Sequence, residues 1–154
     1  MRLLGNILWH FPFFGFLTAL ITFLLGLLLT VLIIPAPIGL GLLQFSKFLL
    51  APYSYSMVGK ADLNMKVHPL WKTFSVIITI LYFPLGLILA LLAVIQVGLL
   101  CLTIIGIPVA IPIAKSLGVF LNPVGKVCVP FAVEKTLRER KEQEQVSTYL
   151  DKNK

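Results

Sequence analysis

Two long runs of apolar residues dominate the chain. The first extends from Leu3 to Ile34 and the second from Phe74 to Ala114, and neither contains a charged residue. A helix needs about 20 apolar residues to cross the hydrocarbon core of a bilayer, so each run exceeds one crossing. We therefore expect a break in each run and more than one membrane segment per run.

Prolines and glycines indicate where the breaks fall, because proline removes a helix donor and restricts the residue before it. The residues expected to interrupt the runs first are Pro12, Gly15, Pro84 and Gly86. In each half the pattern then predicts a short first segment, a long helix over about 13–34 or 85–105, and a shorter helix over about 37–51 or 108–122. The predicted helix breaks around the shorter helices are Pro37, Pro52, Pro108 and Pro123.

The two halves also resemble each other when the sequence is compared with itself at an offset of 71 residues, the distance from Pro37 to Pro108. Glycine and proline are position-specific, so their coincidence at one offset indicates a repeat. The superposed pairs are Gly15 with Gly86, Ala19 with Ala90, Ile33-Ile34 with Ile104-Ile105, Pro37 with Pro108, Pro52 with Pro123, and Val58 with Val129. The predicted fold is an all-α integral membrane protein of two tandem helical units, over about 3–58 and 74–129. Each unit is a long transmembrane helix followed by a short second membrane helix.

The sequence leaves the topology of the shorter helices open. Each is about 22 Å long, which is short for a hydrocarbon core of about 30 Å. If both cross, each unit is a hairpin, and the amino terminus, the loop over 53–73 and the carboxyl tail share one side. If both re-enter, that loop lies opposite the amino terminus. Basic residues in all three segments favour two hairpins with both termini in the cytoplasm.

Composition supports a membrane class. The chain of 154 residues is 58% hydrophobic and 12% charged, with a mean hydropathy of +0.99. A soluble domain carries charge on about a quarter of its residues and could not bury this much apolar surface. A cleaved signal peptide fits poorly, because only its basic start, Arg2, is present and the apolar sequence continues.

The carboxyl tail has a different character. We divide the chain into a membrane domain over 1–131 and a charged, helical, cytoplasmic tail over 132–154. The tail places opposite charges four residues apart, as in Glu134 with Arg138 and Lys135 with Glu139. This pattern predicts a solvated helix, which either solubilises the cytoplasmic end or docks a protein partner or lipid headgroups.

Small residues recur at helical spacing in both predicted long helices. The predicted helix-packing positions are Gly15, Ala19, Gly26, Gly86, Ala90 and Ala93. Small side chains let helices approach closely in lipid. Packing within the chain is the simpler interpretation, and the seam of a homo-oligomer is the sharper one.

Polar residues inside the apolar segments are the candidates for a solute or ion pathway. They are Gln44, Lys47, Gln96 and Lys115. Ionisable groups in membrane segments are costly and therefore suggest a function, although a lysine can also extend its stem to the headgroups. Since no carboxylate lies near either lysine in the sequence, an anionic solute is the natural ligand.

Several stretches resemble the YccF-like inner-membrane component family of bacteria. They are Met1-Arg2 with Gly5–Trp9, the stretch Ile104–Val109 followed by Lys115, and Asn122–Lys126. The resemblance extends to about Phe131, and it implies a duplicated element and an inner-membrane location without a settled activity. The first half departs from the second-half motif, with Pro35-Ala36-Pro37 in place of Ile-Gly-Ile-Pro and Pro52-Tyr53-Ser54 in place of Pro-Val-Gly.

No enzymatic machinery is visible in the sequence. Cys101 and Cys128 lie far apart without a metal-binding motif, and paired carboxylates are absent from the apolar part. We expect no catalytic residues, no metal, no cofactor and no nucleic-acid partner. Two functions remain: a small oligomeric channel or transporter subunit, or a structural or regulatory membrane component that docks a cytoplasmic protein through its basic loop and charged tail.

Overall fold

The computed structural model describes residues 2–11, 14–65, 68–104 and 106–152. Within these ranges the chain is mostly helical, with six helices and one two-stranded sheet. In chain order the elements are α1 (Arg2–His10), α2 (Gly15–Val31), α3 (Ala36–Leu50), β1 (Tyr55–Gly59), α4 (Pro69–Cys101), α5 (Ile107–Leu121), β2 (Lys126–Pro130) and α6 (Phe131–Lys152).

The sheet corrects the expectation of an all-α protein. β1 and β2 pair antiparallel, from Tyr55 opposite Pro130 to Gly59 opposite Lys126. Each strand has five residues, too few for a clear alternating pattern, and its partner is distant in the sequence. Pairing satisfies backbone groups that a loop at this position would leave without partners.

The predicted break at Pro84 with Gly86 is wrong. α4 runs from Pro69 to Cys101 with Pro84 inside it. A proline inside a helix removes one backbone hydrogen bond. Membrane helices commonly tolerate this loss. The second long helix therefore begins well before residue 85, and the central loop is shorter than expected.

The first half does break where expected. α1 ends at His10 and α2 begins at Gly15, with a bend of 77° between the two helices. Pro12, which the sequence also predicts to act here, lies outside the described residues.

The four prolines around the short helices act in two ways. Pro37 and Pro108 are each the second residue of a helix, α3 or α5, where a missing N–H costs nothing. They therefore lie inside the starts of these helices, and the breaks precede them. Pro52 and Pro123 follow the last residues of α3 and α5 and mark the helix ends as predicted.

Much of the core belongs to the short helices. Among the largest fully buried side chains are Phe48 of α3 and Pro112 and Ser116 of α5. The long helices bury little besides small residues of the predicted stripe, Gly15, Ala19 and Gly26 in α2 and Gly86 and Ala93 in α4, while Ala90 is half-buried.

The long helices expose apolar surface. The most apolar window of α4 has a mean hydropathy of 2.6 and is only 17% buried. A core helix of a soluble protein would be mostly buried, so lipid is the solvent that suits this surface. In the described part of the chain, α4 alone is long and apolar enough to cross a bilayer, and the bent α1–α2 pair would make a second span.

Each short helix returns alongside a long one. The indole N–H of Trp9 donates to the carbonyl of Leu49 over 2.8 Å, so the region just before α2 lies beside the end of α3. In the second half the Tyr82 hydroxyl donates to the carbonyl of Phe120 over 3.2 Å, at the end of α5. Leu49 and Phe120 are separated by the same offset that superposes Pro37 on Pro108, and this offset also carries the bounds of α3 and β1 onto those of α5 and β2.

Gly39 tests the close approach of α2 and α3. A Cβ at Gly39 would lie 2.6 Å from the Thr30 nitrogen and 2.7 Å from the Gly26 oxygen, so backbone would have to move. We expect Gly39→Ala to cost about 1–3 kcal/mol by overpacking, seen as a lower midpoint of thermal unfolding in detergent. The matched control is Gly98→Ala on α4, because a Cβ there meets nothing within 4 Å. An equal fall for both variants would contradict the prediction.

Candidate functional site

A cavity of about 840 Å³ lies between α3, the first part of α4 and the turns that flank the sheet. Its cationic lining residues are Lys47, Lys60, Lys72 and Lys126, and we call it the lysine cleft. Among the described residues that line the cleft, none is acidic. Four like charges around one cavity create a positive potential that favours an anion.

Four separate elements supply these lysines. Lys47 lies in the last turn of α3, and Lys72 in the first turn of α4. Lys126 begins β2 opposite Gly59, and the backbone N–H of Lys60 donates to the carbonyl of Gly125 over 2.8 Å. The antiparallel sheet therefore brings two lysines to one end of the cleft, although they are distant in the chain.

Gln44 is one of the uncharged polar residues that line the cleft, with Ser75, Thr79 and Asn122. Its side-chain oxygen accepts a hydrogen bond from the backbone N–H of Cys128 over 3.4 Å, which ties α3 to β2. Burial raises the pKa of the Cys128 thiol to about 11, against the opposing effect of the Lys47 charge. The thiol is therefore protonated at neutral pH and is a poor nucleophile.

A carboxylate at the edge of the cleft is occupied by the tail helix. Asp62 follows the lining residue Ala61, and its oxygen lies 2.6 Å from the ammonium of Lys141 in α6. The hydrogen bond from Lys141 holds the pKa of Asp62 below its usual value, helped by the N–H of Gly59 and the charge of Lys126. α6 thus supplies the cation that pairs with Asp62, so this carboxylate neutralises less of the positive charge of the cleft lysines.

Lys115 lies in a different place. Its ammonium donates to the carbonyl of Pro52 over 3.1 Å and lies 5.4 Å from the centre of the Phe131 ring. It lines a smaller pocket of about 270 Å³ together with Ser56 and Glu134.

Glu134 is the acidic member of that pocket. Burial opposes its ionisation, but the Ser56 hydroxyl, which donates over 2.6 Å, and the Arg138 guanidinium outweigh burial and lower the pKa of Glu134. Lys115 therefore has a carboxylate in its surroundings that its sequence neighbourhood does not reveal.

The structure separates the four predicted pathway residues. Gln44 and Lys47 share the lysine cleft, Lys115 lines the smaller pocket, and Gln96 is exposed on α4 and lines neither. Within one chain these four side chains therefore do not form a single site.

Sequence reasoning misses three residues of the cleft. In the sequence, Lys60, Lys72 and Lys126 serve only as parts of basic segments that indicate topology, and the sheet that gathers two of them is not foreseen. A usable signal is present, because these lysines have few acids near them in the sequence.

Among the residues that the structure describes, no group of three His, Cys, Asp or Glu side chains is placed to hold a metal ion.

Comparison with known proteins gives one match. A family model described as YccF, inner membrane component domain, matches residues 4–54, which hold α2, α3 and most of α1. The match agrees with the resemblance seen in the sequence and supports an inner-membrane location. It ends before the second half, so the resemblance expected as far as about Phe131 is matched only over residues 4–54. No curated protein and no solved structure matches the chain.

The docking of α6 is expected to weaken in acid. A carboxyl whose pKa is lowered by folding contributes stability that is complete above its ordinary pKa, about 3.9 for Asp and about 4.3 for Glu, and is lost as the pH falls through the lower value. Glu134 and Asp62 both have lowered pKa values, so we expect smaller hydrogen-exchange protection factors, relative to the intrinsic rate at each pH, in the first turns of α6 below that range. Glu134→Gln should show the faster exchange already at pH 7. The control is Glu139→Gln, whose 3.8 Å pair with Lys135 is exposed, and similar exchange in both variants would contradict the prediction.

Proposed function

We propose that this chain, whose residues 4–54 match the YccF inner membrane component domain, is a subunit of a small oligomeric channel or transporter for an anionic solute. The observation that carries the proposal is the lysine cleft, with four lysines and no acid among its described lining residues. Four ammonium groups that line one cavity repel each other, and a bound anion reduces this repulsion. The proposal contains no enzymatic step.

The proposed topology is two hairpins that open towards the cytoplasm, with both termini on that side. Several contacts support a shared side. The amide of Asn6 donates to the Ser54 hydroxyl over 3.0 Å, β1 pairs with β2, and Ser56 contacts Glu134 of the tail helix. The positive-inside rule assigns this lysine-rich side to the cytoplasm.

Two tandem units remain part of the proposal. The matching bounds of α3 and α5, and of β1 and β2, support duplication. So do the aromatic hydrogen bonds to the equivalent acceptors Leu49 and Phe120, although the donors Trp9 and Tyr82 are not at equivalent positions.

Oligomer formation is supported by Gln96. This amide is exposed on a helix whose surroundings are almost entirely apolar. A glutamine facing lipid lacks hydrogen-bond partners, whereas glutamines of neighbouring chains can bond across a helix pair. A seam at this face of α4 would place a second copy beside the first and supply the room that one chain lacks.

Gln96→Leu tests the seam. We expect a shift from oligomer towards monomer, measured by the mass of the detergent-solubilised protein, because one interhelical hydrogen bond of about 1 kcal/mol is lost. Gln145→Leu on the solvated tail is the control, since it removes an amide outside the membrane. An unchanged oligomeric state in Gln96→Leu would exclude this face as the seam.

Lys47→Met tests the anion site. In proteoliposomes whose wild-type protein conducts, we expect anion flux at least about tenfold lower, because a cation worth more than about 1.4 kcal/mol to the bound anion is removed. Lys152→Met at the exposed end of α6 is the control with the same charge change, because Lys152 lines neither pocket. Unchanged flux in Lys47→Met would remove the cleft from the pathway, and an equal loss in Lys115→Met would indicate a pathway through both pockets.

A second candidate function is favoured by α6. This helix has 22 residues, none of which is buried, so most of its charged surface is open to another molecule. We propose as the alternative a regulatory component that docks a cytoplasmic protein on α6. Deleting residues 143–152 would leave flux unchanged but abolish crosslinking to the partner in intact cells, whereas loss of flux alone would favour the transport role.

A further inference from the structure

The lysine cleft changes from cationic to apolar along α3. Pro37, Leu40, Gln44 and Lys47 line it in this order, at spacings of three, four and three that place them on one helix face. The distance from the first to the last corresponds to about 15 Å along the helix axis. One end of the cleft is therefore an apolar slot, and the other end carries the lysines.

The apolar end continues onto the lipid-facing surface. Phe23 of α2 and Val76 of α4 line this cleft and are also 45% and 51% exposed. Both long helices expose apolar side chains along most of their length. A ligand in the cleft could thus extend a hydrocarbon chain into the bilayer without leaving an apolar environment.

The other half of the chain shows what the cleft looks like when it is filled. The first-half counterpart of Val124, which lines the cleft, is Tyr53. The Tyr53 ring lies so close to Gly5 that a Cβ there would be 2.8 Å away, and its hydroxyl donates to the carbonyl of Pro108. Pro108 is the counterpart of Pro37 at the apolar end of the cleft. In one half an aromatic ring therefore packs against the protein at a position whose counterpart in the other half lines a cavity.

The polar lining at Gln44 differs in the same way. The counterpart of Gln44 is Lys115, whose ammonium is bonded to the Pro52 carbonyl and has Glu134 in the same pocket. In the filled half the cation is thus satisfied by the protein itself. In the lysine cleft no described lining residue supplies an anion, so the positive potential favours an anion from outside the protein.

We infer that the lysine cleft binds an anionic phospholipid, with its phosphate among Lys47, Lys60 and Lys126 and an acyl chain along Leu40 and Phe23. This inference rests on the proposed function, because it names the anion that the cleft holds. Basic pockets beside membrane helices are the usual sites for acidic lipid headgroups. A volume of about 840 Å³ greatly exceeds what a single phosphate needs, and a soluble anion gives no use to the apolar end.

The experiment measures lipid binding to the full chain. Detergent-purified protein is titrated with dioleoyl phosphatidylglycerol, with dioleoyl phosphatidylcholine and with inorganic phosphate, and bound molecules are counted by native mass spectrometry. We expect phosphatidylglycerol to bind at least about tenfold more tightly than phosphatidylcholine, and millimolar phosphate to displace it poorly. The double variant Lys47→Gln, Lys126→Gln should remove this preference, because two cations at the headgroup are lost.

Two variants make the result specific to the cleft. Lys135→Gln with Lys152→Gln changes the net charge equally on the exposed tail and should keep the preference. Val124→Tyr adds the ring that fills the other half and should abolish binding without a change of charge. If this variant does not fold, the lysine double variant still decides the matter.

Each remaining outcome has a defined meaning. Phosphatidylglycerol binding that survives in the cleft double variant would overturn the inference, as would equal binding of the two lipids. Phosphate binding that depends on Lys47, with no lipid preference, would overturn the lipid but keep the proposed anion site. Absence of binding by both phosphate and phosphatidylglycerol would overturn the inference and the proposed function together.

Discussion

The close approach of α3 to the turn after α5 is the contact on which the rest of the structure depends. Gly41 has no room for a side chain, because the carbonyl group and the ring of Pro123 occupy the space that a Cβ would take. The same approach lets Gln44 bond the backbone of β2 and sets the Phe45 ring edge-on to Phe120 at 5.7 Å. Any larger residue at position 41 would separate α3 from β2 and so change the sheet, the core and the lysine cleft together.

This arrangement divides the chain between two solvents. The short helices bury phenylalanine, proline and small residues, while the long helices expose apolar side chains on most of their surface, which suits lipid. On the sheet side, Glu134 joins α6 to β1 through Ser56, and Lys141 joins α6 to the turn after β1 through Asp62. Both acids are therefore used by the tail helix, and the charge of Lys126 in the cleft also acts on Asp62. An anionic phospholipid would place its phosphate among the cleft lysines and its acyl chain with the lipid that suits the long helices.

The order of amino acids was enough to predict the membrane class, the two apolar runs and the solvated tail. It also predicted the bounds of the short helices within a residue or two. These properties depend on composition and on near neighbours, which a single chain displays directly. Gln44 and Lys47 could also be predicted as candidate ligand-binding residues, because polar groups are conspicuous in apolar segments. The prediction at Pro84 is wrong, because whether a proline ends a helix depends on what surrounds that helix.

The composition of the site was decided by tertiary structure. The pairing of β1 with β2 brings Lys60 and Lys126 to the same cleft. The two lysines are far apart in the sequence, so no local pattern predicts that they are neighbours. The structure likewise separates Lys115 from Lys47, although both lie in short apolar helices. The physical reason is that a cavity exists where side chains fail to fill space. Whether Val124 leaves such a space, or Tyr53 fills it, depends on residues far away in the chain.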